Sequence, residues 1–290
     1  MGQIKDACLP QVKISESYNY IGTFLTFSCN LKCSYCINNF ESQPRCVKYR
    51  HLSGKEWALG LNRIVSKSDL PITLQGGEPL LHKDFTYIVN NLSSGLKIDV
   101  LTNLCNKEIF NNINPERLKR KAPYASIRVS YHPEQMNLES LIEKILWMQE
   151  KGFYIGIWGV MHPLQKVKIK QAQKLCKKVG IDFRTKEFLG EYNGKMYGHY
   201  RYPDAVLGGN HEQVLCKTTE LIIGPDGSVY RCTADLYEQR KPIGHILDAD
   251  FKIEDKFRPC DWFGHCNPCD IKTKTNRFQQ FCYSSVEIKI

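Results

Sequence analysis

Apolar residues along the chain repeat with two alternating periods. Short apolar runs at 20–27, 71–75, 97–101, 126–130, 153–160 and 181–188 have the length and the β-branched or aromatic content of buried strands. Between them, the segments 53–66, 83–92, 138–151 and 167–179 carry apolar residues three and four apart. Leu141, Ile142, Ile145, Leu146 and Met148 mark one face of the third of these. Alternation at this spacing predicts an α/β fold, a parallel sheet closed into a partial (β/α)6 TIM-like barrel with helices outside. From about residue 192 the pattern breaks. The stretch 192–211, YNGKMYGHYRYPDAVLGGNH, has the composition of a linker or surface loop. After it, 220–223 and 228–231 flank a GPDG turn and predict a β-hairpin, followed by irregular, cysteine-rich chain. The organisation expected is an extension over 1–19, a barrel over 20–200, and a small C-terminal cysteine-rich domain of β-hairpin and irregular structure over 201–290.

Composition sharpens this only in places. With 290 residues, 42% hydrophobic and 24% charged, the chain is an ordinary globule. No apolar run approaches the roughly 20 residues that span a bilayer, and the first twenty residues lack a secretory core, so the cytoplasm is the expected compartment and no membrane partner is expected. A net charge of +10 suggests an anionic partner: a phosphorylated substrate, an acidic reductase or nucleic acid. The densest basic stretch, 168–180, has Ile169, Ala172, Leu175, Cys176 and Val179 at helical spacing, which makes its lysines a solvated outer face. Nothing in the charge pattern singles out nucleic acid.

The 13 cysteines change the picture most, because a cytosolic chain has little use for disulfides, and clustered thiols point to metal or redox chemistry. After the first strand comes Cys29-Asn-Leu-Lys-Cys33-Ser-Tyr-Cys36. Three thiolates in one short loop can hold three irons of a 4Fe–4S cluster and leave the fourth open to a ligand; half of a zinc site is the competing reading. After the second strand comes Gln75-Gly76-Gly77-Glu78-Pro79, where paired glycines admit close backbone approach and a carboxylate suits an ammonium.

The CxxxCxxC loop with Tyr35 before its last cysteine, together with the GGEP turn, resembles the radical S-adenosylmethionine (radical SAM) superfamily. That resemblance implies a 4Fe–4S cluster on Cys29, Cys33 and Cys36. It also implies S-adenosylmethionine held near Tyr35, Gly76, Gly77, Glu78 and Pro79, with Thr102, Asn103 and Ser130 at later strand ends. The chemistry implied is reductive cleavage of S-adenosylmethionine to a 5′-deoxyadenosyl radical, with a flavodoxin- or ferredoxin-type electron donor.

Farther on, Cys216, Gly227, Cys232 and Cys266-Asn-Pro-Cys269 are similar to the C-terminal SPASM or twitch extension of some members of that superfamily. The likeness implies a second, auxiliary 4Fe–4S cluster on Cys216, Cys232, Cys266 and Cys269, with Cys260 able to replace one of them. Two cysteines on a hairpin and a CxxC also build a four-thiolate zinc site. Most of the remaining cysteines (8, 46, 105, 176 and 282) read as small buried hydrophobes.

Polar residues on the inner face of barrel strands, Arg184, Lys186 and, beyond Arg128 and Ser130, His132, are the candidates for substrate contact and catalysis. The expected reaction is hydrogen-atom abstraction from a small polar molecule, leading to oxidation or epimerisation of a sugar-, cyclitol- or nucleotide-like substrate. Only 28 residues precede Cys29, too few for a leader-binding domain, which places ribosomal-peptide maturation second. A non-enzymatic two-cluster electron carrier would gain nothing from an open iron or from GGEP.

Overall fold

The structure, a computed structural model, describes residues 9–37, 50–66, 69–208, 212–240, 242–273 and 284–290. All six expected barrel strands form within two residues or so of their sequence bounds. They are β1 Tyr20–Thr26, β2 Ile72–Gly76, β3 Ile98–Thr102, β4 Ile127–Tyr131, β5 Ile155–Met161 and β6 Phe183–Glu187. The four expected helices follow as α1 Gly54–Asn62, α2 Phe85–Asn91, α3 Leu138–Glu150 and α4 Lys166–Lys178. Ser53 and Glu56 close a reciprocal capping box at the start of α1, and Asn137 caps α3 through Ser140 N.

The six strands pair in chain order and in parallel, with Ile72 opposite Ile98, Val100 opposite Ile127, and Ser130 opposite Trp158. Every strand–helix–strand step thus turns the same way and lays its helix on one face of the sheet. The main core lies between sheet and helices, with Trp57, Ile72, Leu74, Phe85, Ile88 and Ile145 fully buried in it. The opposite, concave face carries the polar residues. The sheet stays open: β6 ends one edge and pairs only with β5.

The other edge holds a finding the sequence did not foreshadow. β7 Glu212–Thr218 leads into β8 Glu220–Ile223, which adds to the main sheet in parallel with β1, setting Leu221 opposite Ile21. The antiparallel β9 Ser228–Tyr230 and β10 Gly244–His245 extend that edge. The expected hairpin therefore exists, but it completes the barrel sheet instead of belonging to a separate unit past residue 200. What stands apart is a three-stranded sheet in which β7 lies between β11 Arg258–Phe263 and β12 Val286–Lys289. Two short helices, α5 Thr233–Tyr237 and α6 Pro268–Ile271, pack beside it.

The expected linker also holds structure. Gly190–Tyr192 and Lys195–Tyr197 form an antiparallel pair. Its two-residue turn is Asn193-Gly194, both with positive φ (50° and 71°), the geometry an Asn-Gly pair favours.

Candidate active site

The two motifs that lie some fifty residues apart in sequence are hydrogen-bonded to each other. Gly77 N donates to Thr26 O and Glu78 N to Ser28 O, both at 2.8 Å. A Cβ on Gly76 would stand 2.1 Å from Thr26 O, and one on Gly77 would stand 2.3 Å from Ser28 O. The glycines thus let the end of β2 press on the end of β1, where the three-cysteine loop departs. Pro79 opens the short 3-10 turn that follows, whose N-cap is Glu78.

Glu78 itself faces inward and is 1% exposed. Its Oε1 accepts from Thr102 Oγ1 at 2.6 Å and Leu80 N at 3.0 Å, and its Oε2 accepts from Asn103 N at 2.6 Å. Burial nonetheless raises its carboxyl to about 7, against the pull of those three donors. In this geometry Glu78 braces the ends of β2 and β3. Thr102 and Asn103, expected near S-adenosylmethionine, are held by it. Asn103 Nδ2 then donates to Asn30 Oδ1 at 2.8 Å and lies 3.9 Å from Cys29 Sγ. Its own Oδ1 is buried without a hydrogen-bond partner, so one acceptor at the strand end is left for a ligand.

Cys29, Cys33 and Cys36 line a cavity of about 1310 Å³, together with Tyr35, Gly76, Gly77, Glu78, Thr102, Asn103 and Ser130. Residues the sequence did not indicate hold the loop from outside. Glu134 accepts from Ser34 N at 2.6 Å and from Ser34 Oγ at 2.8 Å. The Tyr35 ring stacks on His162 with centroids 4.9 Å apart, and its hydroxyl lies 3.2 Å from His132 Nδ1. Burial, then the neighbouring Cys36, Glu134 and Cys29, push the Cys33 thiol up to about 12. Thiols that crowd and raise one another are relieved by a cationic metal core. Three such donors on one loop, facing a cavity, fit a 4Fe–4S cluster with one iron open. Among the described residues no three His, Cys, Asp or Glu side chains close on a single-ion site.

On the concave face of the sheet, Arg128, Ser130 and His132 follow one another up β4 and beyond it, with Trp158 and Val160 beside them and Arg184 and Lys186 next on β6. His132 is committed to the cysteine loop through Tyr35, and burial draws its imidazole down to about 4. Arg184 is turned toward Asp182, with Nε at 2.9 Å from Oδ2, and also donates to Pro123 O. Of the three candidates for substrate contact, Lys186 alone makes no hydrogen bond or ion pair with the described residues. Lys186 is exposed at the cavity wall, and its enclosure by the cavity, then the charges of Arg128 and Lys272, draw its ammonium down.

The second cysteine group is rearranged relative to expectation. Cys216 on β7 and Cys260 on β11 lie on adjacent strands, where Cys216 faces Arg258 and Val214 faces Cys260. Their thiols lie within hydrogen-bonding reach, a contact that draws Cys260 down and pushes Cys216 up. The Arg231 guanidinium lowers both. Cys266 lies within their field and in the same apolar cluster, and Cys232 caps α5 at that cluster's edge. Cys269 instead lines the central cavity beside Lys272 and Tyr237. In the described geometry Cys260 thus lies beside Cys216 and within the field of Cys266. Asp270 ties the two segments together, accepting from Thr233 N, Thr233 Oγ1 and Ala234 N at 2.9, 2.6 and 3.0 Å. Cys105 and Cys176 are half-buried and buried thiols, as expected, whereas Cys8, Cys46 and Cys282 lie outside the described residues.

Residues 23–146 match the model of the Radical SAM superfamily. A GTP 3′,8-cyclase of Aquifex aeolicus (strain VF5) is 26% identical over 193 residues, covering 61% of this chain and 58% of the cyclase. The chain thus spans little more than half of that relative's length. An S-adenosylmethionine-dependent nucleotide dehydratase of Selenomonas ruminantium is 29% identical over 85 residues, 29% of each chain. In structure, native anSMEcpe with bound AdoMet and the Kp18Cys peptide superposes with a TM-score of 0.52 at 16% identity. That superposition covers 82% of this chain and 78% of the other, a likeness of fold.

Proposed function

We propose that this chain, whose residues 23–146 match the model of the Radical SAM superfamily, is an enzyme that cleaves S-adenosylmethionine reductively and takes a hydrogen atom from a small polar substrate. The observation that carries this reading is the fastening of the GGEP turn to the root of the three-cysteine loop, both opening on one cavity of about 1310 Å³. Cys29, Cys33 and Cys36 would hold the 4Fe–4S cluster. The chemistry supplied there, with both groups bound, would be one-electron reductive cleavage of the S–C5′ bond of S-adenosylmethionine, to methionine and a 5′-deoxyadenosyl radical able to take the substrate hydrogen.

The chain's own residues bind and orient. Gly76 and Gly77 hold the GGEP turn against the root of the cysteine loop, where the methionine end of S-adenosylmethionine would lie, and Asn103 Oδ1 offers a buried acceptor. Ser130 and Trp158, side by side on β4 and β5, line the way inward from the loop. Tyr35, packed between His132 and His162, sets the loop's orientation. The named activities of the cyclase and the dehydratase lie with nucleotides, which favours the nucleotide-like member of the expected substrate class.

Cys216, Cys232, Cys260 and Cys266 are the set we assign to an auxiliary cluster, which would accept the second electron of an oxidation. The deciding experiment is anaerobic reconstitution with a count of iron, sulfide and zinc, alongside a Cys29→Ala, Cys33→Ala, Cys36→Ala triple variant. About eight irons in the wild type and about four in the variant are expected. About four irons and one zinc would make the C-terminal site structural and remove the electron acceptor. Absence of iron in the wild type, or of 5′-deoxyadenosine after reduction, would overturn the radical reading.

A further inference from the structure

The concave face of the sheet holds more positive charge than its own carboxylates answer. Lys186 on β6 and Lys272 at the end of α6 both line the cavity, and neither forms an ion pair with any described residue. Arg128 on β4 lines it too. Its one carboxylate partner, Asp99, lies 3.1 Å away and is shared with the Arg120 guanidinium, which already engages both carboxylate oxygens. Arg128 Nε is buried with no hydrogen-bond partner. The acidic side chains that line the same cavity have partners or neighbours other than these cations. Glu78 is saturated by three donors, Glu187 pairs with His199, and Glu220 stands across the sheet opposite Tyr20.

Cations from three separate elements that line one cavity repel one another, and an anion placed among them relieves that repulsion. A planar carboxylate is answered by one guanidinium. A phosphoryl group, with several acceptor oxygens and up to two negative charges, answers several cations approaching from different directions, with lysine acting as a point charge.

We propose that Lys186, Lys272 and Arg128 form a cradle for a phosphoryl group of the substrate, so that the substrate is a phosphorylated small molecule. Held there, the phosphoryl group anchors one end of the substrate on β4, β6 and α6, and the rest of it extends toward Ser130 and the three-cysteine loop. This rests on the cavity being the substrate site of a radical SAM enzyme. The iron count tests that reading, and calorimetry tests the cradle, so one can fail without the other.

The test is titration calorimetry of reconstituted, phosphate-free protein with inorganic pyrophosphate, and with glutarate as a dicarboxylate of comparable charge. Wild type should bind pyrophosphate saturably, with one molecule per chain. Lys186→Met and Lys272→Met, on different elements, should each weaken binding tenfold or more, while Lys272→Arg stays within about threefold of wild type. Melting temperature and iron content show which variants have folded, and either lysine variant alone suffices. Absence of saturable binding by the wild type would overturn the proposal. So would binding unchanged in both methionine variants, or glutarate bound as tightly as pyrophosphate.

Discussion

At the scale of single residues, the site is built from groups whose side chains are used up in holding backbone. Glu78 spends both carboxylate oxygens on Thr102, Leu80 and Asn103, and Glu134 spends both on Ser34. Gly77 has no side chain because none fits. A Cβ there would overlap two carbonyl oxygens, Ser28 O at 2.3 Å and Phe27 O at 2.5 Å. These are backbone atoms tied into the β1 end, so they cannot swing aside as a flexible side chain would. Gly77→Ala should therefore push the cysteine loop off the GGEP turn, costing about 2 to 3 kcal/mol and most of the iron held by Cys29, Cys33 and Cys36. Thermal melts and iron analysis read both effects, and a variant with normal iron would refute the fastening.

The cysteine spacing and the GGEP turn were legible in the sequence because each is local and its residue types have few other uses. Glu134, His162 and Asn30 were not, because they act across about 75 to 130 residues of chain and belong to common types. For Glu134 the only sequence trace is an acidic residue just past the end of a predicted strand, which has many innocent readings.

At the scale of elements, the six strands and three of the four helices fall within about two residues of their expected bounds, because each has one strongly apolar face with a single period; α1 ends at Asn62 instead of residue 66, where the chain turns into the short strand Ile64–Val65. Spacing says least where short elements meet. Cys269 and Cys260 could not be told apart by spacing, since their positions depend on how β11 pairs with β7 and where α6 turns. The Asn193-Gly194 turn was passed over because the Gly, Tyr and Pro around it made the whole stretch read as linker.

Asp270 is the element-scale joint. Its carboxylate caps the N-terminus of α5 from α6, and it is 1% exposed. The segment bearing Cys232 is thereby fixed against the segment bearing Cys266. Asp270→Ala would strand two buried N–H groups and a hydroxyl, at about 1 to 3 kcal/mol each before relaxation. The expected outcome is loss of metal from the C-terminal cysteines with the N-terminal iron retained. Metal analysis against the triple cysteine variant separates the two sites, and equal loss from both would refute this division.

For the whole molecule, the sheet is a single structure assembled from both ends of the chain. β8 pairs with β1 in parallel over Glu220–Ile223 and Tyr20–Thr23, and the apolar cluster of Phe24, Phe27, Ile222, Tyr230, Leu236 and Tyr237 closes over the join. Residues 1–208 alone would expose that apolar cluster and leave β1 as a bare edge. Such a fragment should lack a cooperative unfolding transition by circular dichroism in urea. A cooperative transition comparable to that of the full chain would show that the barrel is self-sufficient.

The pairing of β1 with β8 also orders events at the ribosome. Tyr20 emerges 200 residues before its partner Glu220, an interval of roughly 10 to 40 s at ordinary elongation rates of 5 to 20 residues per second. Throughout that time the nascent half-sheet has an open flank next to the loop that carries Cys29, Cys33 and Cys36. The flank is a hazard, because it can recruit another strand. It also leaves the Cys33 thiol, buried in the finished fold, more accessible. Arrival of β8 covers that flank, so the stretch of synthesis between Tyr20 and Glu220 is the interval in which the half-sheet is exposed.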